Sequence, residues 1–172
     1  IVLSSGYGKS RLVKQFGEQY FLFYLTFGTS RTFPPKGIIE EQLLKSWNEC
    51  KNILQLTNRI AQFMNCCILY LQDMRKKDPS LTPVKFSQMF WAGEITWQKV
   101  WELYDNCKDD ELNGPVEKDP TPIFFTFDEA RHLLIKPDHI KPDRMEDETN
   151  YFRRIRHALT QIEKQYYSIY FT

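Results

Sequence analysis

Residues 20–27, Tyr20-Phe21-Leu22-Phe23-Tyr24-Leu25-Thr26-Phe27, form an almost unbroken apolar and aromatic run. Its length and composition favour a strand over a helix. It has no regular polar alternation, so neither face is meant for water. Ile123-Phe124-Phe125-Thr126-Phe127 has the same character about a hundred residues later. Strands covered on both faces belong to parallel sheets, whose crossovers lay helices over them.

Helical spacing fills much of the remaining chain. Lys9 to Phe16 reads as a helix, with Leu12, Val13 and Phe16 on one face and Gly17 at its end. Ile38 to about Met74 is helical, with one phase shift near Asn48 to Lys51 that allows two helices. Val84 to Trp91, Ile95 to Tyr104, Glu129 to Leu134 and Thr149 to Glu163 read as further helices, and Tyr166 to Phe171 as a closing aromatic strand. The stretches with Pro34-Pro35, with Pro79 and Pro83, and from Asp105 to Pro122 are loops. The expected fold is α/β, a three-layer sandwich around a mostly parallel sheet with right-handed crossovers. The 172 residues suit a single domain, 1–172, with a helical insertion at about 38–105. Ile1 to Leu3 already looks like the end of a buried strand, so the chain is expected to be a piece of a longer protein.

Composition narrows the function classes. With 42% hydrophobic and 26% charged residues, the chain can bury a core and is not of the disordered class. A net charge of +1 provides no global field for nucleic acid or anionic lipid. Arg75-Lys76-Lys77 and Arg153, Arg154 and Arg156 read as solvated helix ends and faces. Cys50, Cys66, Cys67 and Cys107 contain no CxxC pair and are expected as buried reduced thiols, which fits an intracellular setting. The longest apolar run, Cys66 to Leu71, is far short of the ~20 residues a membrane helix needs. His132, His139 and His157 have no metal spacing, and the four tryptophans are most simply core residues.

Chemistry concentrates in two places. After the apolar Ile1-Val2-Leu3 the chain enters Ser4-Ser5-Gly6-Tyr7-Gly8-Lys9-Ser10-Arg11. A glycine loop between strand and helix turns successive backbone N–H groups inward, and the helix N-terminus adds partial positive charge. Gly6 and Gly8 let the backbone approach phosphates, Lys9 reaches the β- and γ-phosphates, and the Ser10 hydroxyl suits Mg²⁺. The motif GxxxxGK[ST] would put its first glycine where Leu3 stands. The second place is Asp128-Glu129, at the carboxyl end of the second apolar run, the edge where open α/β sheets bind ligands. Asp128 suits a water-bridged Mg²⁺ and Glu129 the polarisation of an attacking water. Arg31, Arg153 and Arg156 are candidates for a charge-neutralising arginine, Arg11 follows the loop, and Thr172 lies where a γ-phosphate sensor would sit. The plain alternative is an ordinary glycine-rich turn with a surface lysine, and acids that open the next helix.

Together, Gly6-Tyr7-Gly8-Lys9-Ser10 and Phe124-Phe125-Thr126-Phe127-Asp128-Glu129 resemble the P-loop NTPases with Walker A and Walker B motifs, in their additional-strand, catalytic-glutamate (ASCE) group that includes STAND- and AAA-like proteins. Ser5 to Arg11, the aromatic second strand and Arg31-Thr32-Phe33-Pro34-Pro35 resemble the ATPase module of Crinkler-type effectors and related fungal proteins. The resemblance implies a five-stranded core, with Lys9 and Ser10 as phosphate and Mg²⁺ residues, Asp128 as the second metal residue and Glu129 as the catalytic carboxylate. It implies ATP as ligand and Mg²⁺ as cofactor. A Crinkler relationship implies a secreted parent protein that acts inside a host cell, often in its nucleus. The expected function is Mg-dependent binding and hydrolysis of ATP. The alternative is a nucleotide-gated switch with little turnover, acting through protein partners or self-association. A nucleic-acid translocase, suggested by the helicase-like Asp128-Glu129-Ala130-Arg131-His132, is disfavoured by the near-neutral charge. A core without its remaining strands could also bind nothing.

Overall fold

The computed structural model describes residues 9–27, 38–92, 94–95, 97–107, 122–128, 151–163 and 169–171. Its elements run α1 (Lys9–Gly17), β1 (Phe21–Thr26), α2 (Ile38–Asn48), α3 (Ile53–Lys77), α4 (Pro83–Trp91), α5 (Trp97–Asp105), β2 (Ile123–Asp128), α6 (Tyr151–Glu163) and β3 (Ile169–Phe171). The chain is therefore a helix-rich α/β protein built on a parallel sheet. The strand order is β1-β2-β3, with both pairings parallel, so β2 is central. The strand expected at residues 1–3 and the helix expected at 129–134 lie outside the described residues.

The register sets Phe21 against Ile123, Phe23 against Phe125 and Leu25 against Phe127. Odd-numbered residues of both strands thus share one face. Phe23 stacks on Phe125 with ring centroids 5.4 Å apart, and Phe27 on Phe127 at 6.1 Å. Helices close over this face. Phe86 of α4 meets Phe21 and Phe23 edge-on at 5.6 and 5.5 Å, Trp97 of α5 lies 6.0 Å from Phe23, and Trp47 of α2 stacks on Phe27 at 6.2 Å. Such ring pairs contribute about 0.5–1.5 kcal/mol each beyond the area they bury. The Arg75 guanidinium sits 5.6 Å from the Phe21 ring centre, so this arginine packs as well as carries charge.

Local chemistry explains the helix boundaries. The phase shift near residue 50 is a real break between α2 and α3. Asn52 caps α3 by accepting from the Gln55 N–H at 2.8 Å, and the Gln55 side chain accepts from the Lys51 N–H at 2.8 Å. Thr82 caps α4 with Pro83 at its first position, where a missing N–H costs nothing. The 25-residue α3 then runs through the helical layer against α5 and α6.

The outer edge of β1 is covered rather than left open. Alternate residues of a parallel strand face opposite edges, so the Phe27 N–H donates to the Asp128 carbonyl while the Thr26 N–H turns away from β2. Glu40, in the first turn of α2, accepts that Thr26 N–H at 3.1 Å although it is only 3% exposed. A buried acid thus satisfies an edge amide that would otherwise invite another strand. Farther along the same edge α4 spans both faces, with Phe86 on the aromatic side and Trp91 against Tyr24 on the other.

All four cysteines are buried thiols, none of them in a disulfide. The Cys66 and Cys107 sulfurs lie 3.7 Å apart between α3 and the end of α5. Burial, followed by the neighbouring Cys107, pushes the Cys66 thiol well above its ordinary value, and burial does the same to Cys67. Among the described residues no helix is long and apolar enough to cross a membrane.

Two outcomes follow from this packing. Truncating fully buried Phe125 to Ala should cost about 3–5 kcal/mol in denaturant unfolding, whereas Leu54→Ala, at a site 67% exposed, should stay within about 0.5 kcal/mol. Cys66 and Cys67 should resist alkylation in the folded chain at about pH 8 and react once guanidinium unfolds it. Labelling within minutes under native conditions would show that the core is not closed.

Candidate functional site

The second face of the sheet is divided along its length. Leu22 of β1 and Phe124 of β2 make its first half apolar. Tyr24 and Thr26 of β1, with Thr126 and Asp128 of β2, make its second half polar. The register sets Tyr24 beside Thr126 and Thr26 beside Asp128, so these four residues gather at the carboxyl ends of two adjacent strands. Asp128 is half-buried, and its carboxylate Oδ2 accepts a hydrogen bond from the Tyr24 hydroxyl. Its carbonyl accepts from the Phe27 N–H at 3.0 Å, which extends the ladder one residue beyond β1 and steadies the Asp128 backbone. Thr26 is 2% exposed, and its Oγ1 makes no hydrogen bond among the described residues.

The apolar half is covered by α1. Phe16 meets the Phe124 ring edge-on at 5.1 Å, and Tyr20 lies 4.8 Å from it. Gly17 permits this closeness: a Cβ there would stand 2.9 Å from the Ser87 Oγ and 3.3 Å from Leu22 Cδ2. The link from α1 to β1 is three residues long, tied by Gln19 and Tyr20 N–H groups that both donate to the Phe16 carbonyl at 3.0 Å. The C-terminal end of α1 is therefore held over the beginning of the strands. A helix joined to a strand by so short a link and packed on the same sheet is expected to run back along it, which would set the first turn of α1 toward the carboxyl ends. That turn begins with Lys9 and Ser10. Its leading N–H groups have no intrahelical acceptor and carry the positive end of the helix dipole.

The expected residues fare unequally. Asp128 stands at the end of the central strand. Lys9 and Ser10 open α1, described in backbone only, and Arg11 is exposed on the same helix. Ser5, Gly6, Tyr7, Gly8, Arg31, Glu129 and Thr172 lie outside the described residues. Arg153 and Arg156 are exposed on α6, while Arg154 between them is buried. Among the described residues no group of three His, Cys, Asp or Glu side chains is placed to hold a metal ion.

Sequence reasoning missed Tyr24, Thr26 and Glu40. The first two were legible only as a faint polar alternation, Tyr24 and Thr26 on one side and Thr126 and Asp128 to match, within runs dominated by phenylalanine. Glu40 is an acid in a helix first turn, and nothing in its local sequence points to the strand edge.

Comparisons with curated proteins and with solved structures return no match. Over residues 1–171 the sequence matches the DUF8735 family, a domain of unknown function, and the chain belongs to that family.

Proposed function

We propose that this chain binds a nucleoside triphosphate, ATP by its resemblance, with Mg²⁺, and hydrolyses it, as a P-loop NTPase with a three-layer sandwich architecture. The observation that supports this best is the sharing of one sheet face by α1 and Asp128. α1 covers the apolar half of that face, and Asp128 closes the polar half at the carboxyl end. The first turn of α1 and the Asp128 carboxylate are then two charge-bearing groups of opposite sign on one side of the sheet, which is what a metal-bound triphosphate requires.

The residues present fit a hydrated divalent ion. A hydrated Mg²⁺ keeps most of its waters and offers their hydrogens to acceptors. Asp128 is an acceptor held in place by Tyr24, and Thr26, its neighbour in the strand register, has a buried hydroxyl with no hydrogen bond among the described residues. The bound ion would neutralise charge on the transferring phosphoryl group. On this reading, the backbone N–H groups of residues 5–10 cradle the phosphates, Lys9 reaches their outer oxygens and Ser10 ligates the ion. Asp128 holds the ion's waters. Glu129, one residue past β2, accepts a proton from the attacking water and orients it in line. The work of the protein is positioning and electrostatics, as in-line phosphoryl transfer demands.

Titration calorimetry with Mg-ATP and with Mg-GTP tests the reading. Wild type should bind Mg-ATP. Lys9→Ala should weaken binding by about 10–100-fold, the worth of a charge-assisted contact. Glu129→Gln should keep the nucleotide and lower phosphate release by about 100-fold or more. Tight binding with negligible release in wild type would mark a nucleotide-gated switch instead. No binding of either nucleotide would end the proposal.

A further inference from the structure

We infer that Tyr24 is a positioning residue for the metal-holding carboxylate: its hydroxyl fixes the orientation of Asp128 without touching nucleotide or ion. The inference rests on the nucleotide-binding reading and deepens it.

A buried tyrosine hydroxyl must find a hydrogen-bond partner. Tyr24 is 3% exposed, and the partner it reaches is the side chain of Asp128. The two residues are 104 positions apart in sequence, and only the parallel pairing of β1 with β2 sets them on a shared diagonal. The phenol is itself held. Trp91 of α4 packs 5.4 Å from its ring, and Phe90 meets Trp91 edge-on at 5.8 Å. Asp128 ends its strand and is half-exposed, where a short acid otherwise samples several rotamers. An ionised carboxylate has about four lone-pair positions, and the phenol takes one of them. It constrains the group while leaving it capable of further bonds.

A second observation points to the same space. Thr26 stands opposite Asp128 in the register and is almost wholly buried, yet its hydroxyl has no hydrogen bond among the described residues. Buried hydroxyls are normally paired. One left over among the described residues, beside an oriented carboxylate, is a donor and acceptor still open to a ligand. A hydrated divalent cation supplies such partners through its waters. Groups that orient a metal-holding side chain matter about as much as the side chain itself: losing one typically lowers metal affinity by about 10–100-fold.

The experiment uses the full chain with ATP and Mn²⁺ in place of Mg²⁺, counting free Mn²⁺ by electron paramagnetic resonance. Tyr24→Phe should weaken Mn²⁺ binding to the protein–ATP complex by about 10–100-fold and leave ATP affinity in chelator unchanged. In an Asp128→Asn background the same substitution should have no further effect. Para-aminophenylalanine at position 24, which keeps a donor at the ring tip, should restore the wild-type Mn²⁺ affinity. Equal Mn²⁺ affinity in Tyr24→Phe and wild type overturns the inference and spares the nucleotide reading. A matching loss of metal-free ATP affinity, or no rescue by the amino analogue, reduces Tyr24 to a packing residue and also overturns it. Failure of wild type to bind ATP overturns both.

Discussion

β2 pairs in parallel with β1 on one side and β3 on the other, and its side chains are buried along most of its length. This double constraint governs the rest of the molecule. A strand so enclosed cannot slip by one residue without turning Phe125 and Phe127 out of the aromatic core and Phe124, Thr126 and Asp128 into it. The core therefore locks the register, and the register decides which polar groups meet at the carboxyl end. Stability and site geometry are two consequences of the same pairing.

The two faces divide the labour. On one, Phe21, Phe23, Leu25, Phe125 and Phe127 face a helical layer rich in large aromatics, with no polar side chain among these strand positions. On the other, the apolar start is used up by α1 and the polar end is left to gather Tyr24, Thr26, Thr126 and Asp128. The close seat of α1 depends on Gly17, because any side chain there would meet Ser87 and Leu22. The chain thus spends its bulk on one side and its chemistry on the other. Glu40 and α4 shield the outer edge of β1, so the strand that carries Tyr24 is braced on three sides.

Much of this architecture is legible in the sequence. The strands announced themselves because continuous aromatic runs have few other ways to be buried. The α2–α3 break was visible as a slip in helical phase, and Asn52 with Gln55 gives its chemical cause. Asp128 stood out because an acid that ends an apolar run lies at a sheet edge. Tyr24, Thr26 and Glu40 were not readable, for a common reason. Each takes its meaning from a partner brought near by tertiary structure: Asp128 across a pairing 104 residues apart, and the Thr26 amide 14 residues away at an edge. Composition cannot tell an aromatic that fills a core from one that orients a carboxylate, nor an acid that soothes a helix dipole from one buried against a strand.

The central claim is that the first turn of α1 and the end of β2 converge on one divalent ion and one triphosphate. Its most direct test is a crystal of the chain grown with Mn²⁺ and a non-hydrolysable ATP analogue, with anomalous diffraction recorded to locate the ion. The account predicts one strong anomalous peak between the Asp128 carboxylate and the start of α1, with phosphate density against the backbone of the preceding loop. A peak on the opposite face of the sheet, or nucleotide bound away from both elements, would contradict it.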